Sequence, residues 1–128
     1  MKIKSVLNKE LQESILEDKQ IIAALVFGSY VLNIPYRDID ICLVLDKKYS
    51  NIELGRKKLL YSTLAKKPLE IHIFQQLPIY IRKRILKEGK LIFCKNQPLL
   101  YEIAFSTIKE FEFYKKIYFN YLKEMQND

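Results

Sequence analysis

The apolar run from Ile21 to Phe27, and the turn that follows it, constrain the fold of this 128-residue chain more than any other stretch. Seven consecutive apolar residues with no polar alternate describe a strand buried on both faces, which requires a sheet with cover on each side. Gly28-Ser29 ends the strand. Ser29 is placed to cap a short helix over 30–34, and Pro35 closes it. A second strand runs from Asp38 to Leu45. Side chains alternate along a strand, so Asp38 and Asp40 share a face, about 7 Å apart along the backbone. Two carboxylates beside a Gly-Ser turn make a place for hard cations and for the phosphates those cations carry.

The remaining segments alternate between helix and strand. Val6, Leu7, Leu11, Ile15 and Leu16 recur at helical spacing, so 5–19 reads as an amphipathic helix with Ser5 as its N-cap. A second helix over 52–66 carries Leu59, Leu60, Thr63 and Leu64 on one side. Pro68 introduces a third strand, 69–74, which contains Glu70 and His72. Pro78 opens a helix that reaches Lys87 and ends at Gly89, and Lys90 to Cys94 forms a short edge strand. Pro98 begins a last helix that extends to Met125. Alternating elements of this kind give an α/β (α+β) fold: a small mixed sheet with helices packed against it, forming a single domain over 1–128.

Composition narrows the function classes. The chain is 49% hydrophobic and 29% charged, which fits a globular protein rather than a disordered one. No apolar run approaches the roughly 20 residues of a membrane helix, and Met1 to Ser5 shows no signal-peptide core. Cys42 and Cys94 make no disulfide framework, which points to a reducing cytoplasm. The net charge of +7 would suit nucleic acid or a nucleotide, yet only Arg82, Lys83, Arg84, Lys87 and Lys90 gather into a patch. A solvated helix face is the preferred reading of that cluster, and no specific nucleic-acid partner is expected.

The last helix is more apolar than docking requires. One stripe comprises Leu100, Ile103, Ala104, Thr107, Phe111, Tyr114, Tyr118, Tyr121, Leu122 and Met125, and a second runs through Tyr101, Phe105, Ile108 and Phe119. Eight of the sixteen Tyr and Phe residues lie between Tyr101 and Tyr121, so the helix is either deeply buried or offers a surface to a partner or a second copy.

The order strand, Gly28-Ser29, short helix, Asp38-Ile39-Asp40, then a third strand bearing Glu70 resembles the nucleotidyltransferase superfamily that includes DNA polymerase beta. It is most similar to the smallest branch, the minimal nucleotidyltransferases (MNT). That resemblance implies that Gly28, Ser29 and Arg37 contact a nucleotide triphosphate. It also implies that Asp38, Asp40 and Glu70 are catalytic and hold two Mg²⁺ ions, with ATP as substrate. Members of the branch commonly act as antitoxins beside a helical HEPN toxin, and some transfer AMP to a toxin tyrosine. The implied partner is therefore a HEPN-type protein.

Three features depart from the family pattern. The Gly28–Asp38 stretch is short, and its usual midway glycine is missing, with Asn33 nearby as a residue that tolerates left-handed geometry. Arg37 stands where a small Ser often precedes the first aspartate. Arg37 can contact phosphate or pair with Asp38. These departures favour a second reading, a non-catalytic antitoxin that neutralises its partner by contact. A small-molecule nucleotidyltransferase sharing its site in a homodimer is a third. His72 shares a face with Glu70 as a structural residue or as support for it, and Cys42 continues the Asp40 face as a core thiol.

Overall fold

A computed structural model describes residues 6–126. The elements are α1 (Lys9–Glu17), β1 (Ile21–Phe27), β2 (Ile39–Leu45), α2 (Asn51–Leu64), β3 (Leu69–Ile73), α3 (Ile79–Glu88), β4 (Lys90–Cys94) and α4 (Gln97–Gln126). The four strands form one mixed sheet in the order β3-β2-β1-β4. β1 pairs antiparallel with β2 and β4, whereas β2 and β3 run parallel. The apolar run predicted to be buried on both faces is thus a central strand, and Lys90–Cys94 is an edge strand as expected.

The sheet carries a core on each side. α1 and α2 cover one face, where Leu11, Ile15, Leu54 and Tyr61 meet Val26, Ile41, Leu43, Ile71 and Ile73. α3 and the first half of α4 cover the other, where Ile85 and Leu100 meet Leu25, Cys42 and Val44. A register shift between Ile21 and Ala23 re-phases β1, so Ile21 and Ala24 serve the first core and Ile22 and Ala23 the second. Burying each of these larger aliphatic side chains contributes about 1.5–3 kcal/mol.

Several element boundaries differ from the sequence reading. α1 begins at Lys9, after Val6 and Leu7, and the Ser5 cap lies outside the described residues. Asn8 occupies the N-cap position without capping. Its amide instead donates to Leu64 O (3.0 Å) and accepts from Lys66 N–H (3.1 Å), tying the start of α1 to the end of α2. In α2 the inward residues are Leu54 and Tyr61, while Leu59 and Leu60 face solvent at 69% and 52% exposure. The reason is polar. Tyr61 OH donates to Asp18 Oδ2 at 2.6 Å, and Lys57 Nζ pairs with the same oxygen at 2.7 Å, which fixes the rotation of α2 against α1.

Burial alone would raise the Asp18 pKa, but hydrogen bonds from Lys57, Tyr61 and Gln20 N–H outweigh it and hold the carboxyl below its ordinary value. The sign follows directly. A depressed folded-state pKa contributes stability above the ordinary carboxylate range, and that contribution is lost as pH falls through the folded value. Asp18→Asn is expected to cost about 1–3 kcal/mol at pH 7 and progressively less in acid, as read by urea unfolding at both pH values. An equal cost in acid would remove the ion pair from the account.

α4 splits into two halves. Leu100 and Thr107 are buried, and Arg82 pairs with Glu110 (2.6 Å) while Lys83 lies over the Phe111 ring (5.1 Å). Beyond Phe111 all described residues of the helix are exposed. The first stripe therefore docks only as far as Phe111, and the second is exposed along its length, with Tyr101 at 62%, Phe105 at 61% and Phe119 at 56%.

Candidate active site

The site is built where β1 ends. In the antiparallel pair Phe27 lies opposite Asp40, and in the parallel pair Asp40 lies opposite Glu70. Asp40 is thus flanked by Glu70 on one side and by the start of the Gly28–Ser29 turn on the other. Because β2 and β3 are parallel and in register, Asp40 and Glu70 present their side chains on the same face, the one that carries Cys42.

Gly28 is required here on two counts. Its φ is +80°, a left-handed conformation that L side chains rarely adopt. A Cβ at this position would also lie 2.5 Å from Asp40 Oδ2. The turn backbone therefore approaches the carboxylate as only glycine permits.

After Ser29 the chain forms turns rather than the expected short helix. Leu32 N–H donates to Gly28 O (3.2 Å) and Ile34 N–H to Ser29 O (3.2 Å), and Asn33 at φ +59° reverses the backbone before Pro35. With a left-handed residue and a proline in so short a span, no regular helix can propagate. Asn33 thus supplies left-handed geometry in this turn, and the turn offers backbone N–H groups rather than a helix end.

Asp40, Glu70 and His72 form a group whose ligand atoms all lie within 4.8 Å of one another. His72 Nε2 is 3.1 Å from Asp40 Oδ1 and 3.8 Å from Glu70 Oε1. Asp38 is the member of the expected triad that the structure leaves out. β2 begins at Ile39, so Asp38 sits exposed in the bend ahead of it, and strand alternation does not govern its direction. Arg37 is exposed beside it and forms no ion pair among the described residues, so it does not neutralise Asp38.

A cavity of about 390 Å³ opens between the Gly28–Ser29 turn and α3, lined by Phe27, Gly28, Ser29, Leu32, Ile34, Ile81, Arg84, Ile85 and Glu88. It adjoins Asp40 through Gly28. Arg84 is the cation at this cavity, while its neighbours Arg82 and Lys83 are engaged by Glu110 and Phe111. The first three residues of the basic patch thus face three different surroundings. Cys42 is fully buried, and desolvation pushes its thiol pKa up, which makes it a core residue.

The sequence matches the family model for polymerase beta nucleotidyltransferases over residues 9–98. The chain belongs to that family. A protein of Methanocaldococcus jannaschii, provisionally named a protein adenylyltransferase, is 37% identical over 76 residues, which covers 58% of this chain and 57% of that relative. The chain therefore aligns with just over half the length of that relative.

Among solved structures, a toxin–antitoxin complex with AMP-PNP contains a chain that matches with a TM-score of 0.67 at 17% identity, covering 94% of this chain and 99% of that one. A structure of a tri-AMPylated Shewanella oneidensis HEPN toxin with its MNT antitoxin matches with a TM-score of 0.62 at 14% identity, covering 91% and 96%. At such identities the likeness is one of fold. It extends the nucleotidyltransferase architecture across the four-stranded sheet and the long C-terminal helix. No helix of the described residues is long and apolar enough to cross a membrane.

Proposed function

We propose that this chain is a metal-dependent adenylyltransferase that moves AMP from ATP to a hydroxyl, a tyrosine of a HEPN-type partner, and so acts as an antitoxin. The observation that carries this reading is the in-register pair Asp40 and Glu70 at the foot of the Gly28–Ser29 turn, beside a cavity of nucleotide-compatible size. The donor set fits a divalent cation. Two carboxylates and an imidazole converge from adjacent strands, and like charges facing each other across a ladder favour a cation between them.

When bound, Mg²⁺ at Asp40 and Glu70, with Asp38 available from the adjoining bend for a second ion, would neutralise charge on the triphosphate and on the attacking oxygen. The backbone N–H groups of Gly28 and Ser29 hold phosphate oxygens, and Arg84 and Arg37 supply positive charge at the cavity and its entrance. The apolar lining from Leu32, Ile34 and Ile81 packs the nucleoside. Glu70, half exposed, faces the acceptor and receives its proton. The hydroxyl oxygen bonds to the α-phosphorus, the bond to the β-phosphate breaks, and pyrophosphate leaves with the electron pair. Residues 1–128 work as one domain in the cytoplasm, where Cys42 and Cys94 remain thiols.

Incubating the chain with its HEPN partner and ATP labelled at either the α or the γ phosphate tests the reaction. Label from the α position alone should appear on the partner. Label from the γ position would indicate phosphorylation instead, and label from neither would leave the non-catalytic reading, which the placement of Asp38 outside the acid group favours.

The same reading assigns the exposed stripe of α4 to the partner. Phe105→Ser with Phe119→Ser is expected to weaken toxin association at least about tenfold, because aromatic residues dominate interface energetics. Both rings are more than half exposed, so stability should change by less than about 1 kcal/mol. Unfolding of the double variant would show the stripe to be core.

A further inference from the structure

His72 was the residue of this site that strand periodicity placed but did not explain. In the parallel ladder it lies opposite Cys42, one same-face step beyond Glu70, yet its Nε2 reaches back to within 3.1 Å of Asp40 Oδ1 and 3.8 Å of Glu70 Oε1. The Phe27 ring meets the imidazole edge-on at 5.3 Å, so packing from β1 holds the ring plane in this orientation. His72 is 18% exposed and Asp40 25%, against 51% for Glu70. The nitrogen is thus on the sheltered side of the group and the Glu70 carboxylate on the open side.

The 3.1 Å separation of His72 Nε2 from Asp40 Oδ1, a hydrogen bond here, is close to one edge of a coordination shell. Glu70 at 3.8 Å needs a small side-chain shift to join it. A bound ion takes the place of the Nε2 proton while the imidazole keeps its proton on Nδ1. Ligands bind a small divalent ion at about 2.1 Å, so neighbouring donors on an octahedron stand about 3.0 Å apart and opposed ones about 4.2 Å. We propose that His72 is a nitrogen ligand to the cation at Asp40 and Glu70, which gives the site a preference for first-row transition dications such as Mn²⁺ over Mg²⁺. The inference rests on the reading of Asp40 and Glu70 as the metal-holding carboxylates. Mg²⁺ takes oxygen donors and keeps much of its water, so an imidazole adds little to its affinity. Transition dications accept mixed nitrogen and oxygen shells, and each added donor strengthens their hold.

The chain contains one histidine, which makes the test unambiguous. Mn²⁺ added to the tag-free protein without nucleotide is expected to show electron-spin-echo modulation from a directly bound ¹⁴N. In His72→Gln that modulation should vanish and Mn²⁺ affinity should fall at least about tenfold. Mg²⁺ affinity, measured by competition, should change less than about twofold. The wild-type spectrum decides the matter even if the variant folds poorly. Mn²⁺ bound in an Asp40-dependent manner without ¹⁴N coupling overturns the role of His72 and leaves the carboxylate site standing. Absence of Mn²⁺ binding at millimolar concentration overturns both.

Discussion

Asp40→Asn is expected to lower nucleotide transfer by about 10²–10³-fold while leaving the fold intact, since removing one preorganised stabilising group at a reacting centre costs on that order. Asp40 is the residue on which the site converges. It pairs with Glu70 across one ladder and with Phe27 across the other, and Gly28 approaches its Oδ2. Asparagine keeps an oxygen for His72 and removes repulsion with Glu70, so the metal-free protein should unfold at equal or slightly higher urea concentration. Glu70→Gln should behave differently, sparing nucleotide binding while reducing transfer, because the proposed mechanism assigns Glu70 to the acceptor. Single-turnover label transfer and urea titration of each variant check these outcomes. An Asp40→Asn enzyme with near-normal transfer would place the chemistry elsewhere.

Gly28→Ala should cost more than the single methyl it adds would suggest. The left-handed φ of +80° costs alanine about 1–2 kcal/mol. The new Cβ, 2.5 Å from Asp40 Oδ2, also forces the carboxylate aside. A displacement of about 1 Å at a reacting centre costs about 10²-fold in rate, so transfer should fall more than stability alone explains. Gly55→Ala provides the contrast. It lies within α2 with nothing inside 4 Å of its added Cβ, and should stabilise the protein by about 0.5–1 kcal/mol. Both effects are read by chemical denaturation, with label transfer measured on the folded fraction. Full transfer by Gly28→Ala would show that the close approach to Asp40 has no positioning role.

The sheet was legible because its strands are long apolar runs or clean alternations punctuated by Gly and Pro, and Asp40 and Glu70 came with it, since both lie inside strands. Asp38 did not follow, because alternation applies only within a strand and β2 starts one residue later. The turn after Ser29 read as a helix because Ser29 is a good N-cap and Pro35 a helix stop, while the reversal at Asn33 depends on a left-handed conformation that these end signals do not weigh. Leu59 and Leu60 were expected inward because apolar count outvoted polar partners. The rotation of α2 is set instead by Tyr61 and Lys57 reaching Asp18, a contact across 43 and 39 residues. Arg84 was visible only as one charge in a cluster. Its separation from Arg82 and Lys83 follows from where Glu110 and Phe111 lie on α4. His72 needed the parallel register of β2 and β3, which no local pattern specifies.

Intact mass of a co-expressed candidate HEPN protein, taken before and after incubation with the chain and Mg-ATP, tests the central claim most directly. The account predicts mass gains in AMP-sized steps, located by fragmentation on tyrosine, and no gain when the incubation uses Asp40→Asn. A partner that binds the chain tightly yet keeps its mass unchanged would contradict it and leave an antitoxin that acts by contact alone.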